Sequence, residues 1–141
     1  MSRAPQVLIV DDEANLRRML SAVLVSEGFR VAEAASGTDA IALVQRRRPD
    51  AGLLDLSMPG GPDGLATLER LTADAPGLPV IMMSGQAGLQ DAVKATKLGA
   101  FHFLEKPLTP EAVLVTLRSA LTLARARAEA DALREALGPT A

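Results

Sequence analysis

Short blocks in which almost every residue is apolar alternate along this chain with longer stretches where apolar residues recur three or four positions apart. Compact blocks rich in Val, Ile and Leu fit strands, and the wider spacing fits one face of a helix. The pattern predicts strands at Val7 to Val10, Arg30 to Ala34, Ala51 to Asp55, Pro79 to Met83 and Ala100 to Leu104. Their near-continuous hydrophobicity suits strands covered on both faces.

Between them, Leu16, Leu20 and Val23, with Met19 and Leu24, form the stripe of a first helix, and Gly28 stands where a helix C-cap is needed. Ser36-Gly37-Thr38-Asp39 reads as a capping box ahead of a second helix over Ala40 to Val44. A third helix spans Gly64 to Leu71, and a fourth runs from Leu89 to Leu98 and stops at Gly99. Thr109-Pro110-Glu111 gives the fifth an N-cap, a first-turn proline and an early acid.

From Pro110 to Leu137 no helix breaker occurs, so this helix can run for about 28 residues, or ~42 Å. In its second half Leu123, Ala126, Ala130, Leu133 and Leu137 follow a 3, 4, 3, 4 spacing, the period of a coiled-coil seam. Two of those positions are Ala and the repeat is short, which weakens independent pairing; the alternative is a solvated, fraying extension. Gly138-Pro139 ends it.

The order is (βα)5, which implies a parallel sheet with right-handed crossovers and helices on both faces. Ligands of such sheets bind beyond the carboxyl ends of the strands, near the switch in strand order. Strand one delivers Asp11 and Asp12 there, strand three Asp55, strand four Ser84-Gly85, and strand five, two residues on, Lys106-Pro107. Strand two offers only Ala34, Ala35 and Ser36.

Composition narrows the chemistry. The 141 residues fit one domain with a real core, and a net charge of -2 leaves no electrostatic footprint for nucleic acid. The chain has no cysteine, so disulfides, thiolate metal sites and a cysteine nucleophile are excluded. The run Val7 to Val10 is too short for a membrane span or signal core and is cut by Asp11, which favours a cytoplasmic protein.

Asp11 and Asp12 alone would be read as acids at a helix start, and Glu13 keeps that reading. Joined to Asp55 they repel one another unless a cation sits among them, and an oxygen-only set suits a hard ion such as Mg2+. Lys106 can pair with a carboxylate at rest and a phosphoryl oxygen later, and the Ser84 hydroxyl can donate to another such oxygen. Asp55, alone on the central strand, is the best-placed nucleophile toward phosphorus.

Asp11-Asp12-Glu13, Asp55 followed by Met58-Pro59, Ser84-Gly85, and Gly99-Ala100 leading to Phe103 and Lys106-Pro107 resemble the receiver domain of two-component response regulators. The resemblance covers about residues 6 to 122 and implies a flavodoxin-like α/β fold, a doubly wound parallel sheet of strand order 2-1-3-4-5. It implies Asp55 as phosphoacceptor, Mg2+ held by Asp12, Asp55 and the backbone carbonyl of Ser57, and Asp11 acting through water. It further implies Ser84 and Lys106 on the phosphoryl group, Phe103 as an aromatic that changes rotamer with Ser84, and a cis bond before Pro107.

The division expected is a receiver over residues 1–122 and a helical extension or linker over 123–141. The extension, with Ser84-Gly85 and Phe103-Leu104-Glu105-Lys106-Pro107, is similar to that of nitrogen-regulation-type transcription activators. The implied function is a switch phosphorylated by a histidine kinase, with homodimerisation on activation through the fourth helix, fifth strand and fifth helix, and an output domain outside this sequence. It would catalyse only its own phosphorylation and dephosphorylation, without touching nucleic acid or membrane.

Two positions depart from the family pattern. Met58-Pro59-Gly60-Gly61-Pro62-Asp63-Gly64 holds one extra residue in the loop beside Asp55, and the positions two beyond Asp55 and Ser84 are the uncharged Ser57 and Gln86. Ser57 also counts against the main competitor, a haloacid-dehalogenase-type phosphatase, which needs a second acid there. A receiver-like interaction module that is never phosphorylated is the other alternative. His102 is the lone histidine and lacks partners for a metal site, and Arg46-Arg47-Arg48 fits a solvated helix end before Pro49.

Overall fold

The apolar blocks become strands because one sheet can bury both of their faces. In the computed structural model, which describes residues 3–59, 61–86 and 88–138, the strands are β1 (Gln6–Val10), β2 (Arg30–Ala34), β3 (Ala51–Asp55), β4 (Val80–Ser84) and β5 (His102–Glu105). They form one parallel sheet in the order β2-β1-β3-β4-β5, the flavodoxin-like doubly wound arrangement. Helices α1 (Ala14–Ser26), α2 (Gly37–Arg46), α3 (Gly64–Asp74), α4 (Leu89–Lys97) and α5 (Pro110–Leu137) alternate with them.

Alternate strand residues feed two cores. Leu8, Val10, Leu54, Val80 and Met82 pack with Ala40 and Val44 of α2, Leu68 and Leu71 of α3 and Ala95 of α4. Val7, Ile9, Leu53, Ile81 and Met83 face the other way, onto Leu20 and Leu24 of α1 and Val113, Leu117 and Ala120 of α5. Each fully buried Leu, Ile or Met contributes about 1.5–3 kcal/mol relative to exposure, so the sheet's central strands anchor the fold.

Most boundaries follow the sequence pattern, with differences set by hydrogen bonding. β5 starts at His102 rather than Ala100, because the Ala100 N–H still donates to Ala95 O at the end of α4. It runs on to Glu105, and β4 to Ser84, because the two strands pair as far as that register. α4 stops at Lys97, with Leu98 as its cap, and α3 continues to Asp74.

Helix starts use the residues the sequence offers. The Ser36 Oγ accepts the Asp39 N–H at 3.1 Å, and the Thr109 Oγ1 accepts the Ala112 N–H at 3.2 Å, with Pro110 in the first turn. α5 spans 28 residues; its first half buries Val113, Leu117 and Ala120, whereas Leu123, Leu133 and Leu137 are exposed.

The loop after β3 closes onto the strand that precedes it. Asp63 caps α3 by accepting the Ala66 N–H at 2.8 Å, and the Gly64 N–H donates to Leu56 O at 3.0 Å. A Cβ on Gly64 would overlap the carbonyl of Asp55 and the backbone of Leu56, so only glycine permits this approach. The start of α3 thus lies directly against the end of β3. Gly60 and Pro139, both part of the sequence reading, lie outside the described residues.

Candidate functional site

Register brings the acids together. Val10 pairs with Leu54 across β1 and β3, so the next residue on each strand, Asp11 and Asp55, emerges at the same edge. Beside them Met83 pairs with Asp55, and the Lys106 N–H donates to Ser84 O at 2.7 Å, carrying Lys106 just past the end of β5. The Lys106–Pro107 peptide bond is cis.

Asp11 is fully buried and held at every polar atom. Its N–H donates to Ala34 O at 3.2 Å, and its Oδ1 accepts the Glu13 N–H at 2.9 Å. Its Oδ2 accepts from Lys106 Nζ at 2.9 Å, and its carbonyl accepts from Arg17 Nη1 at 2.7 Å. Asp12 is exposed and faces the open side of the cleft, whereas Asp55 is buried.

Asp55 Oδ1 receives Lys106 Nζ and the Ser57 N–H, each at 3.4 Å. Burial, then the neighbouring charge of Asp11, hold the Asp55 pKa above the ordinary aspartate value, partly offset by Lys106 and the Ser57 N–H. Burial alone would lower the Lys106 pKa, but the hydrogen bond and charge of Asp11, with Asp55 behind, outweigh it and raise that pKa.

One carboxylate oxygen from each of Asp11, Asp12 and Asp55 lies within 4.8 Å of the other two. Three carboxylates against one ammonium leave two negative charges unbalanced when all are ionised, so the donor set fits a divalent, oxygen-preferring ion. The cleft, about 800 Å³, also exposes Ser57, Ser84 and Gln86 on its walls. Ser84 is buried, and its Oγ accepts the Gln86 N–H at 3.2 Å, leaving its own proton to donate.

Five of the side chains singled out from the sequence, Asp11, Asp12, Asp55, Ser84 and Lys106, thus line one cleft, with Ser57 on its rim. Phe103 is not among the lining residues; it sits half-buried on β5 against the core beneath α4. His102 is exposed on the edge strand. Sequence reasoning missed Arg17, whose only signal was a charged side chain between Leu16 and Leu20 on the apolar stripe of α1.

The sequence profile of the response regulator receiver domain matches residues 7–118. An NtrX-like response regulator of Rickettsia bellii is 36% identical over 124 residues, which are 87% of this chain and 26% of that protein. The DNA-binding response regulator MtrA of Mycobacterium tuberculosis is 37% identical over 116 residues, 82% of this chain and 50% of that protein. Among solved structures, NtrX of Brucella abortus superposes with a TM-score of 0.89 at 32% identity, covering 98% of this chain and 31% of that one. A CheY-like receiver domain protein of Methanospirillum hungatei gives 0.85 at 27% identity, covering 88% of this chain and 98% of that one. No helix among the described residues is long and apolar enough to cross a membrane.

Proposed function

The chain belongs to the response regulator receiver domain family of two-component systems, and from that premise we propose that it is a switch set by phosphorylation of Asp55. The observation that carries this reading is Asp55 at the end of the central strand, beside two further carboxylates and 3.4 Å from the Lys106 ammonium.

The donor is the phosphohistidine of a kinase. An Asp55 oxygen attacks the phosphorus as the nitrogen–phosphorus bond breaks, and the imidazole leaves with the bonding electrons and takes up a proton. Asp12, Asp55 and the Ser57 carbonyl would hold Mg2+, with Asp11 acting through water. When bound, the ion supplies positive charge among acids that otherwise repel the incoming phosphoryl oxygens.

Lys106 keeps its contact with Asp11 and exchanges its longer one, to Asp55, for a phosphoryl oxygen. Ser84 donates its free proton to a second oxygen. Phe103, packed one strand away, follows Ser84 and biases the surface formed by α4, β5 and α5. The two states differ in partner affinity, which is what any such population shift requires.

Residues 1–122 serve as the receiver and 123–141 as a helical linker that transmits homodimerisation to a transcriptional output, in the cytoplasm. The decisive experiment is incubation with Mg2+ and acetyl phosphate followed by intact mass measurement. One phosphoryl group is expected on the parent and none on Asp55→Asn; addition that persists in the variant overturns the assignment. Steady-state turnover of free phosphate esters would instead restore the phosphatase reading, which Ser57 in place of a second acid argues against.

A further inference from the structure

β2 delivers no acid to the sheet edge, yet its Glu33 is tied to the cleft through one arginine. Arg17 on α1 lies with most of its side chain covered. Its Nη1 donates to the backbone carbonyl of Asp11 at 2.7 Å, and its Nε donates to Glu33 Oε1 at 3.2 Å. The second oxygen of Glu33 accepts from the Ser21 hydroxyl at 3.0 Å, one turn along the same helix. The guanidinium therefore spans three elements and ends on the peptide unit that joins Asp11 to Asp12.

That placement has a chemical consequence. The Asp11 carbonyl belongs to the peptide plane from which Asp12 departs, so its orientation sets where the Asp12 carboxylate can reach. Glu33 occupies the other side of the guanidinium. Arg17 thus presents a donor to a neutral carbonyl instead of swinging its charge into the acids, where it would compete with a metal ion. A fork geometry suits this double duty, and a lysine ammonium cannot reproduce it.

We propose that Arg17, held by Glu33 and Ser21, is a positioning residue that fixes the Asp11–Asp12 peptide and thereby tunes the cation affinity of the acidic cluster. The proposal rests on the receiver reading of the cleft. Partners one step removed from metal ligands typically change affinity by about 10–100-fold when lost, which sets the expected size.

The test compares the full chain with Arg17→Met, Arg17→Lys and Glu33→Gln by two measurements. Calorimetric titration with Mg2+ is expected to show about tenfold or more weaker binding for Arg17→Met, with Arg17→Lys intermediate and Glu33→Gln shifted the same way. In acetyl phosphate labelling, the Mg2+ concentration for half-maximal rate rises accordingly, while the rate at saturating Mg2+ stays within about twofold of the parent. In the metal-free chain, hydrogen exchange of the Glu13 amide, which donates to Asp11 Oδ1, accelerates in Arg17→Met while amides of β3 and β4 do not.

Mg2+ affinity within about twofold of the parent overturns the proposal, as does faster exchange throughout the sheet, which marks a structural role only. If the parent itself neither binds Mg2+ nor is labelled, the receiver reading of this chain fails. The Glu13 exchange measurement, made without metal, still decides whether Arg17 positions the peptide.

Discussion

Lys106 is tethered more closely to Asp11 than to Asp55: its Nζ lies 2.9 Å from Asp11 Oδ2 and 3.4 Å from Asp55 Oδ1. The buried acid of strand one therefore anchors the ammonium, leaving the looser contact as the one that can be exchanged. Removing the ammonium strands the fully buried Asp11 without an ion-pair partner and leaves its Oδ2 unsatisfied, the Glu13 N–H still serving Oδ1. Breaking a wholly buried pair costs about 3–5 kcal/mol, and partial exposure of Lys106 reduces the figure expected for Lys106→Met to about 1–3 kcal/mol. Urea unfolding of the metal-free chain checks this, and Mg2+ should return more stability to the variant than to the parent.

Asp55 predicts a gain of stability on neutralisation. Its folded-state pKa is raised by burial and by Asp11, so above that pKa the folded state carries an ionised carboxylate it disfavours. As pH falls through the raised value toward the unfolded one, the folded state takes up its proton first and the penalty disappears. In chelator, Asp55→Asn should melt a few degrees above the parent at neutral pH. The gap should close on acidification through that window, and a calorimetric series over pH measures it. Mg2+ should narrow the gap at neutral pH, because it stabilises only the parent's ionised acid.

Gly64 predicts a steric effect confined to one residue. A methyl there must push apart the start of α3 and the end of β3, at about 1–3 kcal/mol, because the neighbours are backbone atoms. Acetyl phosphate labelling of Gly64→Ala should slow as the Asp55 carbonyl shifts. Gly85→Ala, with open space around its added carbon, should stay within about 0.5 kcal/mol of the parent in the same denaturation experiment.

The tail predicts a separation of properties. The last fully buried α5 side chain is Ala120, with Leu121 packed against the same core, so ending the chain after Ala124 removes no core side chain. Folding and labelling should survive, with stability changed by at most about 1 kcal/mol through the shortened helix. Sedimentation of the phosphorylated chain should lose its dimer. A dimer that persists after truncation counts against the linker's role in association.

Much of the site was legible because the sheet converts sequence pattern into proximity. Once five apolar blocks alternate with helical stretches, Asp11, Asp55, Ser84 and Lys106 must meet at one edge, and the register puts them there. Strand limits at β5 were less legible, since Ala100 is equally suited to a strand and to closing α4, and only the Ala95 carbonyl decides. The Lys106–Asp11 preference and the Arg17–Glu33–Ser21 chain were not legible at all. They depend on side-chain reach between elements whose separation no local pattern encodes.

α5 is built into the second core only as far as Leu121 and then continues to Leu137 as largely exposed helix. At 1.5 Å per residue that overhang is a lever of ~24 Å, so a tilt of only ~10° at its seat moves the tip by about 4 Å. In the proposed switch, a rearrangement around Asp55 that tilts this seat needs no long relay of side chains to be felt at a distance. The arm itself multiplies it, and anything joined to the tip receives displacement instead of chemistry.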